Sequence, residues 1–271
     1  MSELHRLGSE EEDLPRMGLL EHLEELRTRI VRSLVVFTLC FAVCWGFAGR
    51  IYRFLAQPIY NSAAWPKDPV TEIPEKLVFL GIVDPFILYV KVAALAAVFV
   101  ASPFILFQLW AFVAPGLYKR EKRLAIPFIL SGSLLFLAGG AFAYYVAFPF
   151  AVDFLLGVGQ DFEAQITVTK YLSFLMTVIL GLGLMFELPT IIFLLARMGV
   201  VTPAFLFRQS RWAVVLIFVV AAIITPTPDV VNLLIFALPT ILLYFAGIAV
   251  AWLFGPKQEK ASPNQASNGA S

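Results

Sequence analysis

Charge is scarce in this sequence. Asp, Glu, Lys and Arg make up 14% of 271 residues, against roughly a quarter in soluble domains, while AVILMFWYC residues reach 60% and mean hydropathy is +0.84. A water-soluble globular domain is excluded, and lipid must be the solvent for most of the chain. Histidine and cysteine are nearly absent. His5 and His22 stand alone, with no second ligand at metal spacing. Cys40 and Cys44 lie four apart in one apolar run, where helical geometry disfavours a bond between them, so they read as apolar filler. The chain has no G-x-x-x-x-G-K-[ST] phosphate loop, no H-E-x-x-H zinc pair and no G-x-S-x-G nucleophile turn. Catalysis and nucleotide-driven work are therefore not expected, no cofactor is implied, and any transport must draw its energy from partners or the membrane. No cleavable leader is visible, because the first seventeen residues are polar and carry the acidic run Glu10 to Asp13. Nor is there a repeat of the kind that builds many secondary transporters.

What the chain does have is long, unbroken apolar runs, which select helices over barrel strands. They place spans near Ile30 to Ala48, Leu77 to Phe112, Leu124 to Phe148, Leu172 to Ala196, Trp212 to Ile224 and Val230 to Phe254. The second run is too long for one upright span, and Pro85 and Pro103 are expected to bound its membrane core. The fifth is short, about 20 Å of helix against a hydrocarbon core of about 30 Å. The expected organisation is a disordered stretch over 1–17, a six-helix transmembrane domain over 18–254 and a disordered polar tail over 255–271.

With a cytoplasmic N-terminus, fourteen of the 20 Lys and Arg collect on the cytoplasmic side, from Arg6 and Arg16 through the cluster Lys119, Arg120, Lys122 and Arg123 to Lys260. The positive-inside rule then puts both termini in the cytoplasm, as an even number of spans requires. Two long outer connections, Gly49 to Lys76 and Pro149 to Tyr171, suggest short helices over the outer face.

Four constellations could carry function. Before span one, Leu19, Leu23, Leu26 and Ile30 make an interfacial amphipathic helix whose polar face offers Glu25 and Arg29 as an i, i+4 pair, with Arg27 nearby; the bland reading is a self-neutralising anchor. After span two, Pro115 and Gly116 break the helix, and Glu121 is the lone acid in a basic cluster, where it could equally be a local salt-bridge partner. Glu187, deep in span four, costs roughly 2.5 to 3.5 kcal/mol on insertion scales and should face protein or water. Pro189 frees the carbonyl of Met185, and the two make a polar notch. Asp229, after a Pro-rich turn, has the position of a cap for span six.

Five blocks carry a resemblance: HLEELRTR from His22 to Arg29, PFILFQLWAFVAPGLYKREKR from Pro103 to Arg123, FAYYVAFP from Phe142 to Pro149, FELP from Phe186 to Pro189, and Pro228-Asp229. In order and spacing they resemble the TatC family of the twin-arginine protein translocase, over about Met17 to Phe254. The resemblance implies an all-α integral membrane protein of the bacterial cytoplasmic (inner) membrane: six transmembrane helices forming a concave cup, with short fifth and sixth helices. It implies a core receptor for paired-arginine signal peptides on folded cargo, homo-oligomeric within a complex with TatA- and TatB-type single-span subunits and driven by the proton-motive force. Glu25 and Glu121 match the carboxylates that receive the arginines, and Arg27, Phe112, Leu117 and Lys119 match positions around them. Pro58, Tyr144, Glu187 and Asp229 match positions implicated in assembly or transport, Glu187 as a polar contact for a partner's helix. In one departure, Leu233 stands where relatives often have glutamine, and Thr227 is an extra residue between prolines. A rival reading from the residues alone is an ion-coupled small-solute transporter using Glu187.

Overall fold

The computed structural model describes residues 19–63, 65–66, 76–113, 125–162, 165–225, 227 and 229–254. Among them there are eleven α-helices, one π-helical turn and a single isolated β-bridge, Val78–Thr167. Helix α1 (Leu19–Gly46) crosses first, α2 (Ala48–Leu55) and α3 (Gln57–Tyr60) lie beyond it, and α4 (Asp84–Val113) returns. The third crossing is one rod made of α5 (Ala125–Phe142), the π turn (Ala143–Ala147) and α6 (Phe148–Val158). Helices α7 (Val168–Met185) and α8 (Leu188–Arg197) make the fourth, α9 (Pro203–Arg208) is a short connection, and α10 (Ser210–Ile224) and α11 (Val230–Phe254) complete six. Five crossings are long and apolar enough to span a bilayer by themselves. The fifth, α10, has 15 residues and reaches about 22 Å, so neighbours or a thinned bilayer must accommodate it.

Two expectations about prolines need correction. Pro103 does not bound span two: α4 runs through it to Val113. The carbonyl it frees belongs to Phe99, and the hydroxyl of Ser102 donates to that oxygen at 2.8 Å, so the helix continues without an orphaned acceptor. Pro85 does mark the other boundary, in the first turn of α4, where the missing N–H costs nothing. The sixth helix is not short either. It has 25 residues and passes through Pro239, beside which the Thr240 hydroxyl lies 2.7 Å from the Phe236 carbonyl and 3.2 Å from Met185 Sδ. Likewise Pro149 does not open the second outer connection; the π turn before it absorbs the proline and α6 carries the third span on to Val158.

The helices form an open, cup-like wall: α1 packs chiefly on α4, α4 on α5 and α7, and α8 on α11, which α10 also touches. Apolar burial alone does not drive helix pairing in lipid, so small residues set the spacing. A Cβ on Gly139 of α5 would sit 2.8 Å from the Leu182 carbonyl and from Phe186, and one on Gly247 of α11 would sit 3.0 Å from the Pro189 backbone. Side chains such as Leu172, Leu175 and Leu182 of α7 are fully buried between the walls, while Leu39 and Val43 of α1 stay more than 60% exposed, facing lipid.

At the end remote from Leu19 and Phe254, polar bonds knit the two long connections together. Val78 donates to the Ile166 carbonyl at 3.2 Å and accepts from Val168 at 2.8 Å, and the Ser62 hydroxyl bonds Asp153 at 2.5 Å. Helices α2 and α3 lie across this far end, the short helices expected of the first connection.

Candidate functional site

At the near end, the first turns of α1 meet the last turns of α4. Glu25 and Arg29 share a face of α1, one turn apart. The guanidinium grips Glu25 Oε1 through Nε at 3.1 Å and Nη2 at 2.6 Å, and its Nη1 reaches across to Gln108 Oε1 of α4 at 3.2 Å. His22 lies flat on Phe112, ring centroids 4.3 Å apart and 17° from parallel. These two contacts fasten the amphipathic start of α1 to α4 and hold Glu25 in one orientation. Its second oxygen, Oε2, is buried and among the described residues has no hydrogen-bond partner; the His22 ring nitrogen Nδ1 lies 4.0 Å away. A buried carboxylate oxygen without a donor costs on the order of 1–3 kcal/mol, which makes this atom a strong hydrogen-bond acceptor.

Two depressions share Arg29, the residue that grips this carboxylate. One, of about 380 Å³, is polar and lined by Glu21, Glu24, Glu25, Thr28, Arg29 and Arg32. The other, of about 370 Å³, is apolar and runs along α1 and α4 between residues such as Leu26, Ile30, Leu34, Ile105 and Leu109, with Phe112 at its rim. Of the residues expected at this site, the structure brings Glu25 and Phe112 together and leaves Arg27 exposed, without an ion pair among the described residues. Leu117, Lys119 and Glu121 lie outside the described residues. Sequence reasoning passed over Gln108 and His22. The available signal for Gln108 was a lone amide in an apolar run, one helical turn before Phe112.

The second candidate is the notch in span four. Helix α7 stops at Met185 and α8 starts at Leu188, with Phe186 and Glu187 in the turn between, because Pro189 has no N–H to return to the Met185 carbonyl. Glu187 is 6% exposed; the Thr190 hydroxyl, one turn on and buried, is its polar neighbour, and among the described residues neither that hydroxyl nor Glu187 Oε1 makes a hydrogen bond of good geometry. Gly132 of α5 faces it, so close that a Cβ there would lie 3.1 Å from Oε2.

The remaining expected residues lie at the far end. Pro58 is buried in α3. Tyr144, in the π turn, donates to the Phe54 carbonyl at 2.5 Å, and Tyr171 of α7 donates to the Leu55 carbonyl at 2.8 Å. Asp229 caps α11 as expected: Oδ1 accepts from the Asn232 amide at 2.7 Å, and Oδ2 from the Asn232 side chain at 2.8 Å. Burial raises its pKa, but the bonds from Asn232 and Thr227 outweigh that and hold the carboxyl below the ordinary aspartate value. Asn232, 1% exposed, also bonds Thr227 Oγ1 at 3.0 Å, which gives that inserted threonine a structural use.

Among the described residues there is no group of three or more His, Cys, Asp or Glu side chains suited to a metal. Comparison with known proteins extends the picture to the whole chain. The family described as Sec-independent protein translocase protein (TatC) matches residues 21–239. A protein of that name from Koribacter versatilis (strain Ellin345) is 46% identical over 250 residues, covering 92% of this chain and 90% of the relative. The Bacillus subtilis (strain 168) protein TatCy is 35% identical over 249 residues, 91% of this chain and 93% of its own. A crystal structure of the twin arginine translocase receptor TatC superposes with a TM-score of 0.73 at 34% identity, over 86% of this chain and 99% of that one. Relatives of this kind are translocase components and not enzymes. The chain is a multi-pass membrane protein that belongs to the TatC family of the bacterial Sec-independent, twin-arginine protein translocase.

Proposed function

We propose that the chain is the receptor that captures paired-arginine signal peptides and organises proton-motive-force-driven export of folded proteins. The observation that carries this reading is Glu25: one oxygen is fixed by Arg29, the other is buried and without a donor among the described residues, in a polar depression that shares Arg29 with an apolar one. A guanidinium binds carboxylate through paired, charge-assisted bonds about twice as strong as neutral ones. In this reading one signal arginine takes Glu25 and the other takes Glu121, and the apolar stretch that follows the arginines lies in the groove between α1 and α4. Arg27, Leu117 and Lys119 border the site, and surrounding cations repel loosely basic segments. The described residues then sit in the cytoplasmic (inner) membrane with both termini in the cytoplasm, by the charge distribution along the chain.

Glu187 is proposed as the contact for a polar group on the transmembrane helix of a TatA- or TatB-type subunit, since it is an ionisable group at membrane depth whose Oε1 has no hydrogen bond of good geometry among the described residues. Pro58, Tyr144 and Asp229 are proposed to serve assembly by fixing the far-end cap and the start of α11, with several copies of the chain in one complex. The family assignment leaves the small-solute-transporter reading without support.

The test is equilibrium binding of a fluorescent signal peptide to the full chain, purified with its TatB-type partner. A peptide with paired arginines should bind at least tenfold more tightly than the same peptide with paired glutamines, the scale set by one or two charge-assisted bonds. Equal affinity would remove the basis for the reading.

A further inference from the structure

At the end of the molecule remote from Glu25, a cleft of about 490 Å³ opens between α2, α3 and the segment leading into α4, lined by Tyr52, Arg53, Ala56, Tyr60, Lys76 and Leu77. Arg53 and Lys76 are exposed, and among the described residues neither makes an ion pair. Two cations with no ion pair among the described residues and two phenols on one concave surface make a site for an anion with several oxygens, because an arginine fork and a compact ammonium together cover a phosphate.

The chain beside the cleft says where such an anion comes from. Directly after Lys76 and Leu77, Phe79, Leu80, Ile82 and Val83 are 58, 84, 97 and 59% exposed. Side chains so apolar, in a segment that leads into a membrane-spanning helix, fit the acyl region of a bilayer far better than water. That places the neighbouring cleft at headgroup depth, with acyl chains able to run down over Phe79 to Val83. Leu77 and Ala56 give the cleft an apolar floor for a glycerol backbone.

We propose that this cleft binds the phosphodiester headgroup of an anionic phospholipid in the leaflet remote from the chain's termini. Bound lipid would there join α2 and α3 to the start of α4. Near a membrane surface each basic side chain contributes roughly a fivefold preference for anionic lipid, so the pair gives roughly 25-fold when fully additive and about tenfold once salt screening is allowed for.

The experiment is native mass spectrometry of the full chain released from mixed micelles containing equal phosphatidylglycerol and phosphatidylcholine. Wild-type protein should retain phosphatidylglycerol about tenfold over phosphatidylcholine, and the Arg53→Gln, Lys76→Gln variant should lose most of that preference while the Arg211→Gln control keeps it. Adding inorganic phosphate separates the two sources of the ligand. If retention is unaffected, the lipid headgroup is the ligand; if phosphate displaces the lipid and binds in its place, the same cleft holds free phosphate. Wild-type protein that shows no preference for the anionic lipid overturns the proposal, whether or not the variant folds. So does a folded double variant, confirmed by circular dichroism, that retains it unchanged.

Discussion

Pro58 and Tyr144 act on the same atom. Proline at position 58 has no N–H to offer the Phe54 carbonyl four residues back, and the Tyr144 hydroxyl, from the third span, donates to that carbonyl at 2.5 Å. Phe54 and Tyr144 also stack, with ring centroids 4.5 Å apart. The far-end cap is thus fastened to the wall by a bond that a proline makes available.

This relationship predicts a coupling. Tyr144→Phe should destabilise the folded chain by about 1 kcal/mol, the net worth of one hydrogen bond. In a Pro58→Ala background, where residue 58 regains an N–H, the same change should cost measurably less. A thermal-denaturation cycle in detergent reads the difference; strictly additive losses would mean that the two residues do not share the Phe54 carbonyl.

Arg29 and Gln108 hold Glu25 in place, so their removal should act on binding through Glu25. Arg29→Gln is expected to weaken signal-peptide binding about tenfold, on the scale of a charge-assisted bond, while Arg211→Gln, exposed at the start of α10 and outside both depressions, should change it little. Fluorescence anisotropy with the two variants side by side checks this. A larger effect at Arg211 would show that bulk charge, not the orientation of Glu25, governs recognition.

Glu187 and Gly132 offer a separation of steps. Gly132→Val fills the space against Glu187 Oε2 and should block a partner helix from the notch, lowering export severalfold while leaving signal-peptide binding intact. Loss of both together, in protein that still inserts, would contradict a role confined to the partner helix.

Asp229 gives a pH dependence with a definite sign. Its folded-state pKa lies below the ordinary aspartate value, so its contribution to stability is complete above the unfolded pKa and fades as pH falls through the folded one. Asp229→Ala should cost about 1 kcal/mol at neutral pH, as lost helix caps do. The gap between variant and wild type in a thermal melt should close on acidification below the carboxylate range, and a gap that widened there would reverse the assignment.

Much of this was legible in the residues. Unbroken apolar runs located all six crossings, the 15-residue α10 among them, and the isolated Glu187 beside Pro189 marked the break between α7 and α8. The misreadings concern prolines, whose local effect the residues alone do not decide. Ser102 takes the carbonyl freed at Phe99 and α4 continues through Pro103, whereas the chain breaks into α7 and α8 just before Pro189. Gln108 was missed because its partner, Arg29, lies 79 positions away, a distance only packing of α1 on α4 can close.

The account rests on two carboxylates sharing a pair of arginines, and the most direct measurement is site-specific photocrosslinking of a paired-arginine signal peptide to the full chain in native membranes. The Glu25→Gln, Glu121→Gln variant, inserted at wild-type levels, should lose the crosslink. A crosslink of undiminished yield in that variant would contradict the account.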